Sequence, residues 1–150
     1  MLGMNATIEK FGYPTTLIAD YDHWVVLLRP KQVTAGCLVL ACKDDVGAFS
    51  AISEAAFTEL KTITADIEAN LASLVHYDRI NYLMLMMVDP HVHFHVVPRH
   101  AEPRTIAGAT IADAAWPKPP DLTTAAQLTD ETLTAIRDHI ATCWRKMIDR

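Results

Sequence analysis

The sequence predicts an α+β fold, an antiparallel sheet with a long helix packed on it and a second helix at the C-terminus. Three observations carry this expectation. Short β-rich apolar runs recur between Gly and Pro punctuation, residues 52–74 place apolar side chains at helical spacing, and residues 128–147 do so again behind a cap.

Residues 23–28 predict a first strand, a run of Trp, Val and Leu stopped by Arg29-Pro30. Gly36 opens a second at residues 37–42, closed by Lys43-Asp44-Asp45, and the two read as a hairpin. Ile52, Ala56, Leu60, Ile63, Ile67, Leu71 and Leu74 then follow steps of four and three, one stripe of a helix facing a sheet. Ser50 or Ser53 supplies its cap, and Glu54 suits the positive end of the helix dipole.

Residues 80–88 are apolar on both faces apart from Asn81, which predicts a central strand covered on both sides, with Met84, Met86 and Met87 as core filling. Asp89-Pro90 breaks it, residues 91–97 resume as a strand, and Pro98 ends that one. Residues 99–121, punctuated by Pro103, Pro117, Pro119 and Pro120, predict an irregular wrap anchored by Trp116. In the last helix Thr129 is the N-cap, Leu128 and Leu133 form a staple, and Asp130 and Glu131 occupy the first turn. Leu133, Ile136, Ile140, Trp144 and Met147 form its apolar stripe, with Arg145, Lys146 and Arg150 at the C-terminal end. The whole chain, 1–150, reads as a single domain in which 99–150 is a C-terminal extension.

Composition narrows the function classes. A chain of 150 residues is long enough to bury one core. Net charge is −5 and the Lys and Arg residues form no basic stripe, so no nucleic-acid partner is expected. No apolar stretch approaches the 18 or so residues of a membrane span, and residues 1–10 do not read as a signal peptide. Cys37, Cys42 and Cys143 form no CxxC pair and suit reduced thiols in a cytoplasm, each as a small buried hydrophobe. A small phosphorylated ligand needs only a few donors, and Arg29, Lys31, Arg99 and Arg104 flank the segments that matter.

The run His91-Val92-His93-Phe94-His95-Val96-Val97 is the chemical signal. With a period of two, a strand puts His91, His93 and His95 on one face and Val92, Phe94 and Val96 on the other. The second set belongs in a core; three imidazoles do not, because each needs its own partners. A metal site is the first rival reading. Neighbouring members of the row lie roughly 6.6 Å apart at Cα and the outer two roughly 13 Å, so three imidazoles reach one ion awkwardly. A site built on two would need a third ligand, for which Asp89, His100 or His23 stand nearest in kind. Nucleophilic catalysis fits better. Neutral imidazole attacks phosphorus well, its ordinary pKa near 6.5 leaves it largely neutral at pH 7, and neighbouring imidazoles resist sharing positive charge. No metal and no cofactor are expected.

The same run resembles the histidine triad signature, His-φ-His-φ-His-φ-φ with φ apolar. Pro98-Arg99 looks like the continuation seen in its fragile-histidine-triad and dinucleoside polyphosphate hydrolase branches. The order of elements over roughly residues 20–100 matches as well. The resemblance implies a HIT-like fold and a nucleotidyl hydrolase or transferase that attacks the α-phosphate of a nucleoside phosphate compound. His93 would be the nucleophile, forming a nucleotidyl-histidine, with His91 and His95 assisting. It further implies a homodimer whose subunits continue one sheet, and substrate contacts near Arg29, Gly36 and Arg99.

Three departures from the family pattern stand out. Only Asp89-Pro90 precedes His91 where relatives carry a Gly-rich stretch with Gln or Ser; Cys37 follows the strand-opening Gly where a His is frequent; Arg29 replaces the Asn or Asp that holds the ribose. The last could favour a more anionic substrate. A nucleotide-binding protein with little turnover, and a metal-binding histidine site, are the alternatives.

Overall fold

Alternating apolar and polar residues become a sheet only when something covers its faces, and here both faces are covered. The structure, a computed structural model, describes residues 3–149. Its main sheet has five antiparallel strands, β1 (Leu17–Asp20), β2 (Trp24–Leu28), β3 (Leu38–Cys42), β4 (Arg79–Leu83) and β5 (His93–Arg99), in the order β1-β2-β3-β5-β4. Three helices are α1 (Ala6–Lys10), α2 (Glu54–Val75) and α3 (Asp130–Ile148). A small hairpin, β6 (Arg104–Ile106) with β7 (Ala109–Ile111), forms a second sheet.

One face of the sheet carries Trp24, Val26, Leu28, Leu38, Leu40 and Val96, which pack on Ile63, Ile67 and Leu71 of α2 and on Ile136, Ile140 and Trp144 of α3. Each fully buried aliphatic contributes about 1.5–3 kcal/mol. The opposite face carries Val25, Leu27, Val39 and Ala41, closed by Ile8 and Phe11 at one end. At the other end Leu122 and Ala125 cover Cys37 and Val97. The caps are those the sequence indicates: Ser53 accepts from the Ala56 N–H, and Thr129 from the Thr132 N–H. Arg150 lies outside the described residues.

Several expectations are corrected. The run at residues 80–88 is no central strand: β4 stops at Leu83 and is an edge, while the centre of the sheet is β3. Met87 and Val88 are 88% and 83% exposed. A continuous apolar run does not say which of its residues the fold covers. Pro98 does not end β5 but sits inside it, opposite Ile80. Its carbonyl accepts from the Thr34 hydroxyl, so its missing N–H falls on the side where β3 pairing has already stopped at Leu38↔Val96. The wrap at residues 99–121 contains the β6–β7 hairpin, turned through Ala107 and Gly108 at positive φ. The N-terminal region adds α1 and β1, which the sequence pattern did not reveal.

Candidate active site

β5 pairs with β3 through Leu40↔Phe94, Val39↔His95 and Ala41↔His93. Strand alternation then sends Phe94 and Val96 to the helix-covered face, and His93 and His95 to the face closed by α1. The two imidazoles meet edge to face, ring centres 5.2 Å apart, and the Phe11 ring lies 5.6 Å from each.

His91 is not part of this stack. β5 begins at His93, so His91 lies on the approaching segment and its ring is held elsewhere. Its Nε2 donates to Asp45 Oδ1 at 2.6 Å, and its Nδ1 accepts from the Thr7 hydroxyl at 2.9 Å. What His91 gives the pair is its backbone. The His93 Nδ1–H donates to the His91 carbonyl at 2.7 Å. A carbonyl only accepts, so the neutral His93 ring carries its proton on Nδ1 and a lone pair on Nε2. That Nε2 is buried and has no hydrogen-bond partner among the described residues. The ring is oriented, unspent and wholly covered, at 0% exposure.

His95 is fixed in the opposite tautomer. Arg29 Nε–H donates to His95 Nδ1 at 3.2 Å, and a guanidinium has nothing to accept with, so the proton of neutral His95 sits on Nε2. Burial, the Arg29 charge and the nearby His93 push the His95 pKa down to about 4. Arg29 is 7% exposed, anchored by donation from Nη1 to the Lys31 carbonyl. A cavity of about 380 Å³ opens beside them, lined by Lys10, Phe11, Arg29, Lys31, Asp89 and His95. Lys10 and Asp89 form an ion pair at its mouth.

Arg29 is therefore brought to the histidines, while Arg99 and Gly36 are not. Arg99 lies six residues along β5 from His93, roughly 20 Å away, and donates to Asp113, Asn81 Oδ1 and the Lys118 carbonyl. Gly36 sits at that far end too, with φ of +92° that a side chain would resist, its N–H donating to Gln32 Oε1. A cleft of about 780 Å³ is lined by residues that include Arg79, Arg99 and Trp116 and by none of the triad. Thr7, Phe11 and Asp45 are site residues that sequence reasoning missed. Only their distant contacts with the triad reveal them; no local motif marks them.

Among the described residues no group of three or more His, Cys, Asp or Glu side chains could hold one metal ion. His91 faces away, and one Nδ1 of the remaining pair is taken by Arg29 and the other by a carbonyl.

The HIT domain family matches residues 10–102. The chain belongs to the histidine triad family. Membership implies nucleotide binding with hydrolase or transferase activity, and the matched span contains the run His91 to Val97. The fold agrees with solved structures of histidine triad proteins. One from Marinobacter aquaeolei is 16% identical, with 96% of this chain and 98% of that one covered at a TM-score of 0.74. One from Sinorhizobium meliloti is 18% identical, covering 93% and 95% at 0.71. A hypothetical histidine triad nucleotide-binding protein from Sulfolobus tokodaii is 14% identical, covering 94% and 91% at 0.69. Among curated proteins none matches. No helix among the described residues is long and apolar enough to cross a membrane.

Proposed function

We propose that this histidine triad protein is a nucleotidyl hydrolase or transferase that breaks the α-phosphate bond of a nucleoside phosphate compound, dinucleoside polyphosphates among the candidates, through a nucleotidyl-His93 intermediate. One observation carries the reading: His93 presents a lone pair on an Nε2 that has no hydrogen-bond partner among the described residues, while the other nitrogen is fixed by the His91 carbonyl. An unpaired buried polar atom costs free energy, and this one belongs to the middle histidine of the run, stacked on a His95 that lines a cavity.

In the first half-reaction Nε2 attacks the α-phosphorus and the bond to the leaving oxygen breaks with its electron pair. In the second, water attacks the same phosphorus, its proton passes to solvent, and the P–N bond electrons return to Nε2. His95 Nε2–H donates a hydrogen bond to a phosphate oxygen where charge develops. Because His93 is wholly buried, with Phe11 packed against both rings, phosphate reaches Nε2 only when the cover over that ring rearranges. His91 acts through its carbonyl, and its ring holds that segment against Thr7 and Asp45.

Two companion readings follow. A homodimer continuing the sheet through the β4 edge is supported by the unpaired outer side of β4 and by the exposed Leu85, Met87 and Val88 beside it. A cytoplasmic location suits three free cysteines. The complete burial of His93 favours one rival, a nucleotide-binding protein with little turnover. Incubation with a panel of nucleotidyl substrates, with and without a chelator, separates these: the account expects turnover unaffected by chelation. Binding without turnover supports the rival, and turnover restored only by added metal supports a metal site.

A further inference from the structure

We propose that Arg29 restricts this site to substrates whose leaving group departs without taking a proton, that is, nucleotidyl anhydrides with a phosphate or polyphosphate leaving group rather than phosphoramidates or alkyl esters. The inference rests on the reading of His93 as nucleophile and adds the class of bond that it cleaves.

What His95 can and cannot donate sets the limit. An alkoxide or amine leaves a phosphorus centre readily only when a general acid protonates it, and a site does this with an imidazolium or a neutral carboxylic acid. His95 lies next to His93 in the stack and faces the cavity, so it is the group placed for that task. Its Nδ1, however, is spoken for by the Arg29 Nε–H. A second proton on His95 would have to go on Nδ1, displacing that hydrogen bond and setting two cations in contact inside a buried site.

Every neighbouring group bears on the same point. Arg29 and Lys31 lie on the chain leaving β2, Lys10 on α1, and His93 on β5 itself; only Asp89, on the segment before β5, is acidic. Asp89 is engaged by Lys10. Burial and the Arg29 charge accordingly hold His95 neutral to about pH 4. His95 is thus a hydrogen-bond donor through Nε2–H, not a source of protons.

The rest of the cavity suits an anion. Arg29 Nη2 makes no hydrogen bond to the protein among the described residues, and Lys31 stands beside it. A phosphate leaving group has its second ionisation near pH 6, so it departs already charged and needs ion pairing, not protonation. Bookkeeping is complete without an acid: the P–O bond breaks, its electrons stay on the leaving phosphate, and Nε2 of His93 holds the nucleotidyl group. Arg29 is in this sense a positioning residue, acting through His95.

The test measures kcat/KM for a dinucleoside triphosphate and for the matching nucleoside 5′-phosphoramidate, with the wild-type protein and with Arg29→Met, alongside mass spectrometry of the His93 adduct. The wild-type protein is expected to favour the anhydride by about 100-fold or more at pH 7, the size of a missing general acid. In Arg29→Met that preference should shrink, with phosphoramidate cleavage rising as pH falls toward 6. Nitrogen NMR of labelled wild-type protein should find His95 neutral, with its proton on Nε2, from pH 8 to pH 5. That reading is independent of turnover and of whether the variant folds. An adduct at His93 with no preference between substrates, an unchanged preference in Arg29→Met, or a wild-type His95 that titrates near its ordinary pKa overturns the inference alone. No adduct from either substrate overturns the parent reading and this one together.

Discussion

The two ends of β5 place polar side chains on the same face of the same strand and treat them in opposite ways. At the far end Arg99 is buried and fully engaged, making a two-pronged contact with Asp113 and further bonds to Asn81 and the Lys118 carbonyl. Burial alone would raise the Asp113 carboxyl, but hydrogen bonds from Arg99 and the His100 N–H hold it below the usual carboxylate range. At the near end His93 is equally buried, yet its Nε2 has no partner among the described residues. The first arrangement fastens the C-terminal segment to the sheet; the second keeps an atom free. Missing partners alone do not mark the difference, because His100 Nδ1 also has none. His100 is boxed in near Arg104, Asp113 and Asp78, whereas His93 stacks on a His95 that lines a cavity, and Phe11 packs on both rings.

Substitutions at the two ends should therefore separate activity from stability. The largest effect belongs to His93→Ala, which removes the attacking atom: turnover should fall on the order of 10⁴-fold, about 5.5 kcal/mol, while the chain still folds cooperatively. Activity retained within tenfold would break the comparison. Asp113→Ala at the other end should do the converse. It leaves the Arg99 charge buried and unpaired, destabilising the fold by about 3–5 kcal/mol in denaturant titration, while the fraction still folded keeps its specific activity. A loss of activity without loss of stability there would contradict the assignment. His91→Ala keeps the carbonyl that orients His93 and loses only the ring contacts to Thr7 and Asp45, so its cost in turnover should stay within about 100-fold.

A smaller effect is set by pH. His95 ionises near pH 4 in the folded chain against an ordinary 6.5, so between these values the unfolded chain binds more protons than the native one. Stability must then rise with pH through this window and fall on acidification, with His100, also depressed by burial, adding in the same direction. Each group contributes up to about 1.4 kcal/mol per pH unit. Thermal unfolding at pH 7.5, 5.5 and 4.5 measures this, and a midpoint that does not move would rule out the buried neutral state of His95.

The sequence made the sheet hairpin, α2, α3 and their caps legible because each announces itself locally, by spacing or by a cap residue. It made the triad legible because three imidazoles on one strand pattern have no packing explanation. What it hid depends on distant contacts. Strand alternation predicted His91 beside the other two, but β5 starts two residues later, where Thr7 and Asp45 capture the ring. Arg29 and Arg99 look alike as strand-end arginines, and only the fold shows that one meets His95 and the other Asp113. The apolar run at residues 80–88 misled because coverage is a property of neighbours, and the edge position of β4 is set by the order of the sheet.

The claim that all of this serves is that His93 Nε2 takes the nucleotidyl group. Intact-protein mass spectrometry after rapid quenching at neutral or alkaline pH, followed by fragmentation, reads it directly. The account predicts an added mass of one nucleotide, mapped to His93 and absent from His93→Ala. An adduct on His91, His95 or any other residue, or turnover with no adduct trapped at any time during the reaction, would contradict it.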